Sequence, residues 1–142
     1  MKEFEDFIKT GDVRKQEKNE ILAKALIKSS KKSEGYIKKQ QINEESAEHI
    51  TADIYDIIRE LIEAKLSLSG YKSYSHEANI LFLRKFKEFS EGEIIFLDNL
   101  RKIRNGIKYY GKEVSIEDAK KTLHFMVSLL PKLKKLVENA KK

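Results

Sequence analysis

The sequence has no cysteine and no tryptophan, and only one proline and six glycines in 142 residues. Without cysteine, disulfides and thiolate metal sites are excluded, and the chain suits a reducing compartment. Its three histidines, His49, His76 and His124, are too widely spaced for short metal-ligand motifs, so neither a structural metal nor a cofactor is expected. No long apolar run is present, and the N-terminal stretch MKEFEDFIKTGD carries acids where a secretory signal would be apolar. These absences predict a cytoplasmic protein with no membrane partner. The scarcity of glycine and proline also leaves little punctuation for a many-stranded fold.

What is abundant is Lys, Glu, Leu, Ile and Ala, all good helix formers. With 40% hydrophobic residues, the chain has enough apolar material for one continuous core, and residues 1–142 read as a single domain. The expected fold is all-α: an antiparallel bundle of four long helices plus a short N-terminal helix, with no credible strand. A net charge of +6 eases contact with phosphates or an acidic partner, and equally serves solubility.

Phe4, Phe7 and Ile8 mark the short first helix, which Gly11 ends. A helix from Val13 to about Gln41 is expected to bury Ile21, Leu22, Ala25, Leu26, Ser29, Ser33, Tyr36 and Ile37. Asn43 reads as the N-cap of the next helix, whose stripe from Ala47 through Ile50, Ile54, Ile57, Ile58, Leu61 and Ile62 to Leu68 is wide enough for the centre of a bundle. Ala78, Leu81, Phe82, Phe86 and Phe89 predict a third helix, ended by Glu91 and Gly92. Ile95, Leu97, Leu100, Ile103 and Ile107 predict a fourth from Glu93. Ser115 and Asp118 have capping spacing for the last helix, which Pro131 is expected to bend. Ile54, Ile58, Leu61, Leu81, Leu100, Ile103, Leu123 and Val127 are the expected core.

The stretch most suggestive of chemistry is RKIRNGIKYYG, residues 101–111. It gathers Arg101, Lys102, Arg104 and Lys108, candidates for nucleic-acid contact, around Asn105, Gly106, Tyr109 and Tyr110. An ordinary reading makes the cations a solvated helix face, with a tyrosine finishing the core and Gly111 capping the helix. Two residues resist it. Gly106 costs a helix interior about 1 kcal/mol relative to alanine, and Asn105 is a poor helix residue unless its amide holds something. Arg104 and Tyr109 lie about 140° apart on an ideal helix, so joint action on one ligand needs a bent helix end, a second helix or a second subunit.

With its place near the end of the penultimate long helix, this stretch resembles the motif of the HEPN family: an arginine, usually a polar residue after it, and a histidine after four to six further positions. The resemblance covers about Val13 to Leu136, and SYSHEANILFL, residues 73–83, is similar to the start of the family's central helix. Arg104 matches the arginine, Asn105 the polar residue, and Tyr109 or Tyr110 stands where the histidine would be. The resemblance implies a homodimer, RNA as a partner, and a small nucleotidyltransferase as a second partner in a prokaryotic two-component module. In HEPN ribonucleases the motif cuts RNA without metal, with the ribose 2'-hydroxyl attacking. That implies a catalytic set of Arg104 on the phosphate, Asn105 orienting it, and Tyr109, Tyr110 or His76 in the remaining role.

Tyrosine, with a pKa near 10, is a poor general base at neutral pH, so binding survives this replacement more readily than cutting does. His76 is the candidate substitute, set against its reading as a structural cap or interhelical hydrogen bond. His49 and His124 read as structural or exposed, and Glu60 and Glu63 as surface carboxylates. An RNA-associated or nucleotidyltransferase-partner subunit is therefore expected ahead of a toxin-like endoribonuclease, with a non-catalytic helical adaptor as the remaining alternative.

Overall fold

The computed structural model describes residues 2–138; Met1 and residues 139–142 of the expected domain lie outside them. In chain order the elements are α1 (Phe4–Thr10), β1 (Val13–Lys15), α2 (Glu20–Lys38), α3 (Ala47–Leu68), β2 (Tyr71–Ser73), α4 (His76–Phe82), a 3-10 turn (Leu83–Lys85), α5 (Glu91–Tyr110) and α6 (Ile116–Leu136). The mainly helical expectation holds. The expected count does not: among the described residues the short helices are two, α1 and α4, and two strands pair antiparallel.

α3 is the centre. Ile50, Ile54, Tyr55, Ile57, Ile58, Leu61, Ile62, Ala64 and Leu66 are buried around much of its circumference, and α2, α4, α5 and α6 all pack on it. A helix apolar on so wide an arc is stable only when covered on several sides. α2 lies close because Ser30 is small and donates its hydroxyl to the Ile57 carbonyl at 2.9 Å.

Several boundaries and faces differ from expectation. Residues 13–15 are not the start of α2 but pair with 71–73, Arg14 opposite Lys72. α2 begins at Glu20, where the Asn19 side chain accepts from the Leu22 N–H. Its buried stripe is Ala23, Ile27, Ser30, Glu34 and Ile37, so Ile21 and Tyr36 face outward. The rotation is tolerated because Glu34, though buried, meets Lys38 at 2.7 Å and Lys134 of α6 at 2.8 Å. Those two ammonium groups hold its carboxyl below the usual range against the opposing effect of burial.

The residue before α3 is Ser46, and Asn43 instead closes a turn by accepting from the N–H groups of Glu45 and Ser46. The third helix stops at Phe82, after which Arg84 and Lys85 reach Glu3 and Glu5 around α1 and Arg84 also reaches Glu91. Phe86 and Phe89 therefore pack from outside the helix. Ser90 and Glu93 form a capping box that starts α5 at Glu91. Ser115 accepts from the Asp118 N–H at 3.0 Å and starts α6, which runs through Pro131.

Of the expected core, Ile54, Ile58, Leu61, Leu81 and Leu100 are buried and Leu123 is half-buried. Ile103 and Val127 are exposed, because α5 turns Arg104 toward α3 and the inner stripe of α6 runs through Met126.

Candidate functional site

The polar residues that α3 interrupts its isoleucine stripe to present are Tyr55, Asp56, Arg59 and Glu63, and they face the C-terminal half of α5 and the start of α4. Asp56 Oδ1 is shared, 3.4 Å from Nη2 of Arg104 and 3.4 Å from Nε of Arg59. Arg59 Nη1 donates to Glu63 at 2.9 Å. The Arg104 guanidinium also stands over the ring of Tyr55, 5.9 Å from its centroid. One turn earlier Arg101 is tied to Asp98 at 2.9 Å.

Arg104 is under-bonded. Its Nε is buried and has no hydrogen-bond partner among the described residues, and its one ion pair is long and shared with Arg59. A guanidinium carries five donors in a rigid fork, so most of this one's capacity is unspent. Leaving such donors unmade is costly, which makes an anion with several oxygens a complementary ligand.

His76, the first residue of α4, joins the same cluster through Tyr55. The phenol oxygen is 3.3 Å from His76 Nδ1, and the rings lie nearly parallel with centroids 6.2 Å apart. Burial pushes the Tyr55 phenol up to about 12, against the pull of Arg101, Arg59 and Arg104. Burial, with Arg59 and Arg104 nearby, lowers the His76 pKa. The hydrogen bond runs either way: where the phenol donates to Nδ1 the neutral imidazole carries its proton on Nε2, and where Nδ1–H donates to the phenol oxygen Nε2 keeps its lone pair. In the first tautomer Nε2–H is a donor toward a ligand, and in the second Nε2 is an acceptor.

The other candidates are elsewhere. Tyr109 and Tyr110 are 71% and 79% exposed, so neither finishes the core nor reaches Arg104 within the chain. Asn105 lines a separate surface groove of about 430 Å³ with Ile103, Gly106, Tyr110 and Lys112. Gly106 is covered by the side chain of Lys112, not by another backbone. Gly111 caps α5 as expected, with φ 62°. Lys102 is exposed and 3.6 Å from Asp98, while burial and the neighbouring Asp56 push the Asp53 carboxyl above the usual range, with exposed Lys108 pulling the other way. Glu63 reaches the cluster at one remove through Arg59, and Glu60 lines a cleft of about 310 Å³ with Tyr36, Asp53 and Asp56.

The residues that sequence reasoning missed are Tyr55, Asp56 and Arg59. Their signal was an aromatic, an acid and a base at spacings of one and three inside the most apolar helix, where polar side chains need partners. Among the described residues no group of three or more His, Cys, Asp or Glu side chains is arranged to hold a metal ion, and no helix is long and apolar enough to cross a membrane. No family model, curated protein or solved structure matches the chain.

Proposed function

We propose that this protein is an RNA-associated subunit of HEPN type, acting as a homodimer in a small two-component module with a nucleotidyltransferase. The observation that carries the reading is the Arg104 guanidinium, under-bonded and backed by Tyr55 and Asp56, with His76 in the same cluster. Arg104 takes a backbone phosphate, and Nε2–H of His76 donates to a phosphate or ribose oxygen nearby. The homodimer is supported by α5, where Phe96, Ile103 and Tyr110, each seven residues from the next, leave an apolar stripe exposed. A twofold axis along that stripe brings two copies of the basic segment to one surface.

Cleavage is the second reading, because a histidine does join the arginine's cluster. His76 Nδ1 is already engaged with the Tyr55 hydroxyl, and Tyr109 and Tyr110, at the motif's histidine position, are exposed phenols poorly suited to removing a proton at neutral pH, so binding without cutting fits the geometry better.

The test is binding of a mixed single-stranded RNA across a salt series. Arg104→Ala is expected to weaken association, keep the helical circular dichroism, and flatten the salt slope by about 0.7 for each phosphate that is no longer neutralised. Unchanged binding removes Arg104 as the RNA contact, and a wild type that binds no RNA returns the protein to a helical adaptor. Cleavage in EDTA that leaves a cyclic phosphate and vanishes with Arg104 makes it a ribonuclease.

A further inference from the structure

The β1–β2 ribbon carries an arrangement that the fold does not need. Arg14 and Lys72 are direct cross-strand partners, and like charges placed opposite each other destabilise a ribbon. No carboxylate among the described residues forms an ion pair with either. Both instead lie against one aromatic ring, with Arg14 Cζ 5.7 Å and Lys72 Nζ 5.8 Å from the centroid of Tyr74. With two cations against it the ring is still 65% exposed, which leaves room for a flat partner.

The ribbon is held rigidly at both ends. Gln16 N–H donates to the Gly70 carbonyl at 2.9 Å and Tyr74 N–H to the Asp12 carbonyl at 2.8 Å. Gly70 permits this closure: its φ is +83°, and a Cβ there would stand 3.0 Å from the Gln16 oxygen. Ser73 Oγ accepts from the Ser75 N–H and donates to the Ser75 carbonyl, fixing the step from Tyr74 to the start of α4. Tyr74 is therefore two residues, at most about 7 Å of backbone, from His76. On the other side, Lys72 and Ser73 line a cavity of about 100 Å³ together with Glu63, whose carboxylate holds Arg59.

We propose that this ribbon is a platform for single-stranded RNA, Tyr74 stacking on one unpaired base while Arg14 and Lys72 hold the flanking phosphates. The proposal rests on the RNA reading of Arg104 and adds to it the form of the nucleic acid: a strand that reaches the arginine cluster with its bases unpaired. Aromatic stacking is tolerant of base identity but needs a base free of its partner, and the two cations over the ring sit on long side chains that swing aside to meet the backbone phosphates when a base takes the face. A duplex hides its base faces and gains little from Tyr74.

The chain has no tryptophan, so Tyr74→Trp installs a single reporter at the platform. Its emission is expected to be quenched by single-stranded RNA and not by a duplex of equal length or by anionic lipid vesicles. Tyr74→Ala is expected to weaken single-strand binding about tenfold and duplex binding less than twofold, with Tyr74→Phe retaining wild-type affinity. Arg14→Ala with Lys72→Ala is expected to reduce the single-strand salt slope by about 1.4.

The proposal is overturned if Tyr74→Ala binds the single strand within twofold of wild type, or if the tryptophan responds to vesicles or duplex alone. Weaker binding in Arg104→Ala with none in Tyr74→Ala leaves the arginine site standing and removes the platform. Weaker binding in Tyr74→Ala with none in Arg104→Ala does the reverse, and a wild type that binds no RNA at low salt removes both.

Discussion

Arg104 and Ile103, neighbours in the chain and about 100° apart around α5, have different surroundings: the Arg104 side chain is 17% exposed and lies on α3, while Ile103 is 45% exposed. Ile94, Leu97, Leu100 and Arg104 recur at intervals of three and four, so the packed stripe of α5 changes from aliphatic to cationic along its length. The change is tolerated because Asp56 and the face of Tyr55 lie where it occurs.

Ile103 is therefore a residue through which association can be tested apart from folding. Ile103→Glu is expected to shift the stability of the monomer by less than about 0.5 kcal/mol, as exposed substitutions do. If the α5 stripe joins two copies, sedimentation at micromolar concentration reports twice the chain mass for wild type and the single mass for the variant. A wild type that is monomeric throughout that range removes the homodimer.

Leu61 and Val127 should separate in urea unfolding. Leu61 is buried in the centre of α3, and Leu61→Ala is expected to cost about 2–5 kcal/mol through reduced burial and the cavity left behind. Val127→Ala, on the outer side of α6, is expected to cost less than about 0.5 kcal/mol. Equal effects would mean that the inner face of α6 has been misplaced.

His76 makes stability depend on pH in a defined direction. Burial, with help from Arg59 and Arg104, lowers its pKa in the folded chain, so the unfolded chain binds the proton first as pH falls. Stability then declines from about pH 6.5 downward through the folded pKa. The fall in urea midpoint between about pH 7.5 and about pH 5.5 should be smaller in His76→Gln than in wild type. A steeper fall in the variant would contradict this assignment, as would a His76 proton resonance titrating above the ordinary histidine value.

Two glycines should respond with opposite signs. Gly35 lies inside α2 with open space where a Cβ would stand, so Gly35→Ala is expected to raise stability by about 0.5–1 kcal/mol. Gly111 ends α5 with φ +62°, and Gly111→Ala is expected to lower stability by about 1 kcal/mol or more, read from thermal unfolding.

The central helix was legible because its apolar residues recur over 22 positions, a pattern that one short-range rule suffices to read. The caps Ser115 and Gly111 were legible for the same local reason. β1 was not, because Val13, Arg14 and Lys15 have no partner within reach in sequence; the strand exists only through residues 71–73. The orientation of α5 was hidden by a similar dependence. Periodicity alone prefers Ile103 inside, and only Asp56 and Tyr55, almost fifty residues earlier, make Arg104 the better inward residue. For the site, the arginine was legible, while its company came from α3 and α4, which no local spacing relates to it.

The ribbon that joins residue 13 to residue 73 also bears on how the chain comes together in time. Phe4 of α1 packs against Tyr71 and Phe82, and Lys85 holds Glu5, so α1 and β1, besides touching each other, take partners from the region after α3. During synthesis those first residues leave the ribosome early and wait until α2, α3 and α4 have followed. The cost of closing so long a loop falls on the step that docks them. The α2–α3 pair, contiguous in sequence and joined by Ser30, is then the natural first unit, and the N-terminal segment is the last to be fastened in place.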